Sequence, residues 1–185
     1  VRCLAACIPV AAQYTGFQVI GDDEEDILDG GADNDTLNGG QGEDTASYHS
    51  ASSGVTIDLD LSGAQYTGGA GYDTLISIEH IRGSAYDDTL QGNGDQNTIE
   101  GGAGNDTIDG GTSSATYWYD IASYEHASSA VTVDLNITTA QDTLGAGIDT
   151  LTNMSGLRGS NYDDTLHGGA DHDKIEGGDG NDTMT

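Results

Sequence analysis

The sequence predicts an all-β solenoid of very short strands joined by tight turns. Three observations carry this. A nine-residue phrase recurs along the chain, cleanest as Gly101-Gly102-Ala103-Gly104-Asn105-Asp106-Thr107-Ile108-Asp109. Its eighth position is aliphatic at Leu28, Leu37, Leu90, Ile99, Ile108, Leu166 and Ile175, with Ala46 and Met184 as weaker copies. No window shows sustained helical periodicity, and 29 glycines in 185 residues oppose helix.

Residues 1–20 lack the phrase and form a separate N-terminal segment with both cysteines, Cys3 and Cys7, and the only proline, Pro9. Leu4-Ala5-Ala6-Cys7 resembles a bacterial lipoprotein cleavage box, but only three residues precede it, and the segment reads as a boundary fragment. A Cys3–Cys7 disulfide is open; the rest of the fold does not depend on one.

Residues 21–185 form the repeat domain. Nonapeptides start at Gly21, Gly30 and Gly39, then at Gly83, Gly92 and Gly101, then at Gly159, Gly168 and Gly177. Two inserts separate the groups, at about 48–82 and 112–158; each holds a single copy, complete from Gly68 to Ile76 and degraded from Leu144 to Thr152. A period of 76 residues lies above the short one, mapping Asp44 to Asp120, Tyr48 to Tyr124, Val55 to Val131, Asp73 to Asp149 and Asp88 to Asp164. Val55-Thr56-Ile57-Asp58-Leu59 and Val131-Thr132-Val133-Asp134-Leu135 alternate with period two, as strands with one apolar face do. They read as additional rungs or packing inserts. Thr112 to Tyr119 carries five extra residues with the only tryptophan, Trp118, and reads as a loop shielding an edge.

Composition excludes several functions. The formal charge is −28, from 32 acidic and four basic residues, which opposes binding to nucleic acid or anionic membrane. No apolar run approaches the roughly 18 residues of a membrane span. Neither a His-Glu-x-x-His motif nor a Gly-x-Ser-x-Gly elbow is present, so no catalysis is expected. The acids are spaced regularly and keep step with the aliphatics, unlike those of a disordered tail.

Each position of the phrase has a chemical reason. Glycines at positions one, two and four allow a tight turn that directs carbonyls inward. The sixth-position aspartate adds a carboxylate. Calcium takes six to eight oxygens of these kinds, whereas zinc wants Cys or His at close spacing. The five histidines, at 49, 80, 126, 167 and 172, share no pattern and are expected to be solvated. Asp58-x-Asp60-x-Ser62-Gly63 imitates an EF-hand start, but Gly69 stands where the bidentate glutamate belongs. One inward aliphatic per nine residues is too little burial to offset backbone ordering of roughly 1–2 kcal/mol per residue, so bound metal is the expected source of stability.

The phrase matches Gly-Gly-x-Gly-x-Asp-x-aliphatic-x, and over about residues 21–185 the chain resembles the RTX (hemolysin-type calcium-binding repeat) family of secreted bacterial proteins. The resemblance implies a parallel β-roll with two nonapeptides per coil and several bound calcium ions. The implied metal residues are Asp26, Asp35, Asp44, Asp73, Asp88, Asp106, Asp149, Asp164, Asp173 and Asp182, with Gly30, Gly39, Gly83, Gly101, Gly104, Gly159, Gly177 and Gly180 shaping the turns. Asp26 should lie above Asp44, Asp88 above Asp106, and Asp164 above Asp182. Stacked strands about 4.8 Å apart bring these carboxylates into repulsion unless a cation lies between them, which predicts unfolding without calcium.

Departures from the pattern mark weak sites. Asn97 replaces an acid, the first repeat lacks its later glycines, and Asp33 and Asp171 replace the fourth glycine. Asp35, Asp120 and Asp173 are expected to lack an in-register partner. The implied function is calcium binding by a secreted, non-catalytic module, exported through a type I secretion apparatus and folding in millimolar external calcium. The chain reads as a piece of a longer protein. Alternatives are an adhesin or surface-layer segment with a cell-surface or carbohydrate ligand, or the accessory domain of a secreted protease, lipase or polysaccharide-modifying enzyme.

Overall fold

The computed structural model describes residues 16–112, 119–169 and 173–185. The cysteines, the lipoprotein-like box, Trp118 and Asp171 lie outside these residues. Within them the chain is all strand, turn and loop, with no helix. No helix among the described residues is long and apolar enough to cross a membrane.

Strands are numbered in chain order. One sheet is an unbroken parallel ladder of seven: β2 (Ile27–Leu28), β4 (Thr45–Ser47), β8 (His80–Arg82), β10 (Thr98–Glu100), β12 (Ile121–Ser123), β16 (Gly156–Arg158) and β18 (Lys174–Glu176). The remaining strands form three shorter ladders. The first holds β1 (Gln18–Ile20), β3 (Thr36–Asn38), β7 (Gly71–Ile76) and β6 (Gln65–Gly68). The second holds β5 (Thr56–Asp58), β9 (Thr89–Gln91), β11 (Thr107–Asp109), β15 (Ile148–Thr152) and β14 (Gln141–Asp142). The third holds β13 (Thr132–Asp134), β17 (Thr165–His167) and β19 (Thr183–Met184). Among the strands of the described residues, only β6 and β14 run antiparallel to their neighbours. Gln18–Ile20, placed by sequence in the non-repeat segment, is a rung in register with Thr36–Asn38.

Successive nonapeptides feed the long ladder and a short ladder in turn, so residues 18 apart stack, as Ile27 does on Thr45 and Thr89 on Thr107. The eighth-position aliphatics meet in one core with Val55, Ile57, Val131, Val133, Tyr48 and Tyr124 from the inserts. Met184, in the last strand, is half exposed.

The inserts are woven into the roll in reverse order. After β4 the chain jumps ahead to β5, which pairs with the later β9. It then returns through antiparallel β6 to β7, which pairs with the earlier β3. The second insert repeats this route: β13 pairs with β17, β14 returns, and β15 pairs with β11. Each meander adds strands on one side only, which is why three short ladders face one long one.

The described basic residues Arg82, Arg158 and Lys174 all lie on the seven-stranded ladder, paired with Glu100, Glu125 and Glu176. The histidines expected to be solvated are used in part. His80 Nδ1 accepts the Thr98 N–H at 3.0 Å, and His126 lies 2.9 Å from Glu100. A β-ladder fixes these neighbours, which linear spacing does not reveal.

Candidate metal centre

The turns stack into columns at the strand entrances, and the sixth-position acids line them. The Asp26 N–H donates to Asp44 Oδ1 at 2.9 Å, Asp88 N–H to Asp106 Oδ1 at 2.9 Å, and Asp164 N–H to Asp182 Oδ1 at 3.0 Å. All three expected pairs are therefore stacked. The columns are longer than the pairing of neighbouring repeats suggested. Asp35 N–H donates to Asp73 Oδ1 at 2.8 Å, and Asp106 N–H to Asp149 Oδ1 at 3.0 Å. Asp35 thus has the partner it was expected to lack, because the meander delivers Asp73 from 38 residues away. Asp120 also gains a neighbour: its Oδ1 accepts the Asn97 N–H at 2.9 Å. Asp173 precedes β18, whose register sets it beside Ser155.

Along the seven-stranded ladder the column runs Asp26, Asp44, Glu79, Asn97, Asp120, Ser155 and Asp173. Glu79 was missed by sequence reasoning; its Oε2 accepts the Asp44 N–H at 2.9 Å from the place of an aspartate. The replaced Asn97 sends its side-chain N–H to Glu79 O at 2.8 Å, a neutral donor where its neighbours carry charge.

Two kinds of turn alternate. Where position two is Ser or Asp, the turn closes on its own carboxylate: Asp22 N–H donates to Asp26 Oδ2 at 2.8 Å, and Ser84 N–H to Asp88 Oδ2 at 2.6 Å. Ser160 N–H donates to Asp164 Oδ2 at 2.5 Å. Position two is a left-handed glycine at Gly31, Gly40, Gly102, Gly111 and Gly178, with φ of 103° at Gly40 and 101° at Gly102. Position four does the same at Gly42 (φ 138°) and Gly104 (φ 134°), and Asp33 accepts this conformation at φ 86°. Asp33, expected to be strained or to gain a ligand, carries the strained left-handed backbone.

The open turns leave carboxylate oxygens without partners. Asp35 Oδ2, Asp44 Oδ2 and Asp106 Oδ2 are buried and accept no hydrogen bond, in residues 3%, 0% and 2% exposed. An orphaned, buried anionic oxygen is costly unless a cation meets it. Carbonyls of the turn below crowd the open glycines. A Cβ on Gly42 would lie 2.6 Å from Glu24 O, one on Gly104 2.6 Å from Tyr86 O, and one on Gly180 2.5 Å from Tyr162 O. The first-position glycines Gly30, Gly39, Gly83, Gly101, Gly159 and Gly177 face the aspartate of their own turn, so that a Cβ on Gly30 would meet Asp35 Oδ2 at 2.6 Å.

Burial sets the electrostatics. It pushes the Asp106 carboxyl up to about 7, with Asp149 and Asp88 adding repulsion. Asp120 is pushed up to about 6 by burial. Burial also raises Asp35, Asp73, Asp88, Glu79 and Asp149. These acids resist ionising without a cation. Among the described residues no three His, Cys, Asp or Glu side chains converge, so backbone carbonyls must complete a metal shell. An all-oxygen set of carboxylates and carbonyls fits a hard cation such as calcium.

The model of the RTX calcium-binding nonapeptide repeat (4 copies) matches residues 18–46, 80–114 and 157–185, half of the chain. The chain belongs to this family, its repeats bind calcium, and several repeats hold several ions. No curated protein matches the chain.

Proposed function

We propose that the chain is a secreted, non-catalytic calcium-binding module that orders its repeat arrays when it meets calcium outside the cell. The orphaned Oδ2 atoms of Asp35, Asp44 and Asp106 are the observation that supports this most strongly. When bound, calcium supplies positive charge between stacked turns. Asp26 with Asp44, Asp88 with Asp106, and Asp164 with Asp182 bound three such positions; Asp35 with Asp73 and Asp106 with Asp149 bound two more. The carbonyls of Glu24, Tyr86 and Tyr162 face these gaps from below. Asp173 bounds the last position of the seven-stranded column. Export through a type I apparatus agrees with repeat arrays that stay unfolded at low cytosolic calcium and fold at the millimolar level of extracellular sites.

Far-UV circular dichroism during a calcium titration, with magnesium as control, tests this. A cooperative gain of strand near millimolar calcium, absent with magnesium, is expected. An unchanged spectrum together with no bound calcium would refute the reading.

A further inference from the structure

Eight residues recur at the 76-residue period and meet at the two meanders, where all but the Tyr48 hydroxyl are satisfied without metal. In the first meander, Val55 N–H donates to Asp88 Oδ1 at 2.7 Å, and Ser84 Oγ donates to the same oxygen at 2.8 Å. With Ser84 N–H on Oδ2, both oxygens of Asp88 are occupied. Gln65 spans the gap between β5 and β6: its Oε1 accepts the Asp58 N–H at 2.8 Å and its Nε2 donates to Asp58 O at 3.0 Å. The amide thus replaces a missing rung of backbone pairing. At the far edge Thr67 Oγ1 lies 3.1 Å from Asp73 Oδ2 and 3.0 Å from Gly71 O, sharing one proton between them. The Tyr48 hydroxyl lies beside Asp73 without closing a hydrogen bond.

The second meander repeats the set. Val131 N–H and Ser160 Oγ donate to Asp164 Oδ1 at 2.7 and 2.8 Å. Gln141 accepts the Asp134 N–H at 2.9 Å and donates to Asp134 O at 3.0 Å. Tyr124 Oη donates to Asp149 Oδ2 at 3.2 Å, and Thr143 Oγ1 lies 3.2 Å from the same atom. Asp73, Asp88, Asp149 and Asp164 are all buried, yet none has an orphaned oxygen, in contrast to Asp35, Asp44 and Asp106.

We propose that each meander is a calcium-independent clasp in which Asp73 and Asp88, and likewise Asp149 and Asp164, accept protein hydrogen bonds in place of metal. Tyr124, Gln141 and Thr143, with Tyr48, Gln65 and Thr67, are its positioning residues. The clasp divides the roll into three calcium-loaded arrays and keeps a strand edge on each side from which the next array grows. Three strands with an apolar face suffice for such an island, where a lone hairpin does not. The inference rests on the calcium reading for the arrays and narrows the expected ligand set: Asp106 contributes its free oxygen, and Asp149 bounds the site without donating to it.

Amide hydrogen exchange of the full chain in chelator and in calcium tests the clasp, together with a count of bound ions by native mass spectrometry. In chelator, protection is expected to persist at 55–76 and 131–152 and to vanish at 27–46 and 98–109. Asp106→Asn should lose one bound ion. Asp149→Asn, Thr143→Val and Tyr124→Phe should keep the wild-type count while losing the chelator-resistant protection of 131–152. Loss of an ion in Asp149→Asn with the count intact in Thr143→Val makes Asp149 a ligand and overturns the proposal. So does complete loss of meander protection in chelated wild type. If a variant fails to fold, the wild-type exchange pattern alone decides. A wild-type chain with protected meanders and no bound calcium would sink the calcium reading and leave the clasp standing.

Discussion

The turns Gly83–Asp88 and Gly101–Asp106 lie one above the other, and each ends in a buried aspartate. Their sequences, Gly-Ser-Ala-Tyr-Asp-Asp and Gly-Gly-Ala-Gly-Asn-Asp, differ at positions two, four and five. Ser84 turns its N–H and hydroxyl onto Asp88 and occupies both oxygens. Gly102, left-handed, leaves Asp106 Oδ2 bare. The backbone at position two, which turns its N–H onto Oδ2 in one turn and not in the other, thus decides whether an aspartate is held by its own turn or waits for a cation.

Removing calcium should affect the two turns most unequally. Excess chelator is expected to unfold the array around Asp106, since ligand at a hundredfold its Kd contributes about 2.7 kcal/mol per site. Calorimetric melting with and without calcium reads this directly. Equal loss in the open and closed turns would erase the distinction.

Backbone substitution should come next. Gly102→Ala places a Cβ against the Ser84 carbonyl at a φ of 101° and is expected to cost about 2–3 kcal/mol. Ser84→Ala removes the hydroxyl that donates to Asp88 and accepts the Tyr86 N–H, and is expected to cost about 1–2 kcal/mol. Denaturant unfolding in calcium gives both numbers, and the ordering is the point at issue.

Charge removal should change sign between the turns. In chelator Asp106→Asn relieves a buried, repelled anion and is expected to stabilise by about 1 kcal/mol, whereas Asp88→Asn loses bonds to a charged acceptor and destabilises by a similar amount. Residual strand content of both variants in chelator, raised by Asp106→Asn and lowered by Asp88→Asn in circular dichroism, checks the signs.

A last effect is with pH. Asp106 and Asp120 titrate near 7 and 6 in the fold, above the ordinary value of 3.8. The calcium-free fold therefore binds more protons than the unfolded chain. Its stability is fully present below about pH 4 and is lost as pH rises through about 6 to 7. Calcium affinity runs the other way and falls as these carboxyls protonate. Circular dichroism in chelator at pH 4.5 and 8 should show more strand at the acid value.

Much of this was legible along the chain. The nine-residue offsets place Leu28, Leu37, Leu90, Ile99, Ile108 and Leu166 in the core and stack Asp26, Asp88 and Asp164 on their partners. Tyr48, Gln65, Thr67 and Ser84 were less visible. Tyr48 stands out in the sequence only within a repeated phrase, although the 76-residue period carries all four to Tyr124, Gln141, Thr143 and Ser160. Their roles lie in hydrogen bonds between segments, and spacing does not encode partners.

Offsets within one or two repeats are enough to set the all-β repeat, the aliphatic core stripe, the acid columns and the calcium chemistry. Tertiary structure decided the reversed order of the meanders, the pairing of Asp35 with Asp73, the use of Glu79 in the column, and which carboxylates remain bare. Those depend on strands meeting across 33 to 43 residues, as Thr56 meets Thr89 and Thr107 meets Thr150, and such closure is settled by the packing of the whole roll rather than by any local phrase.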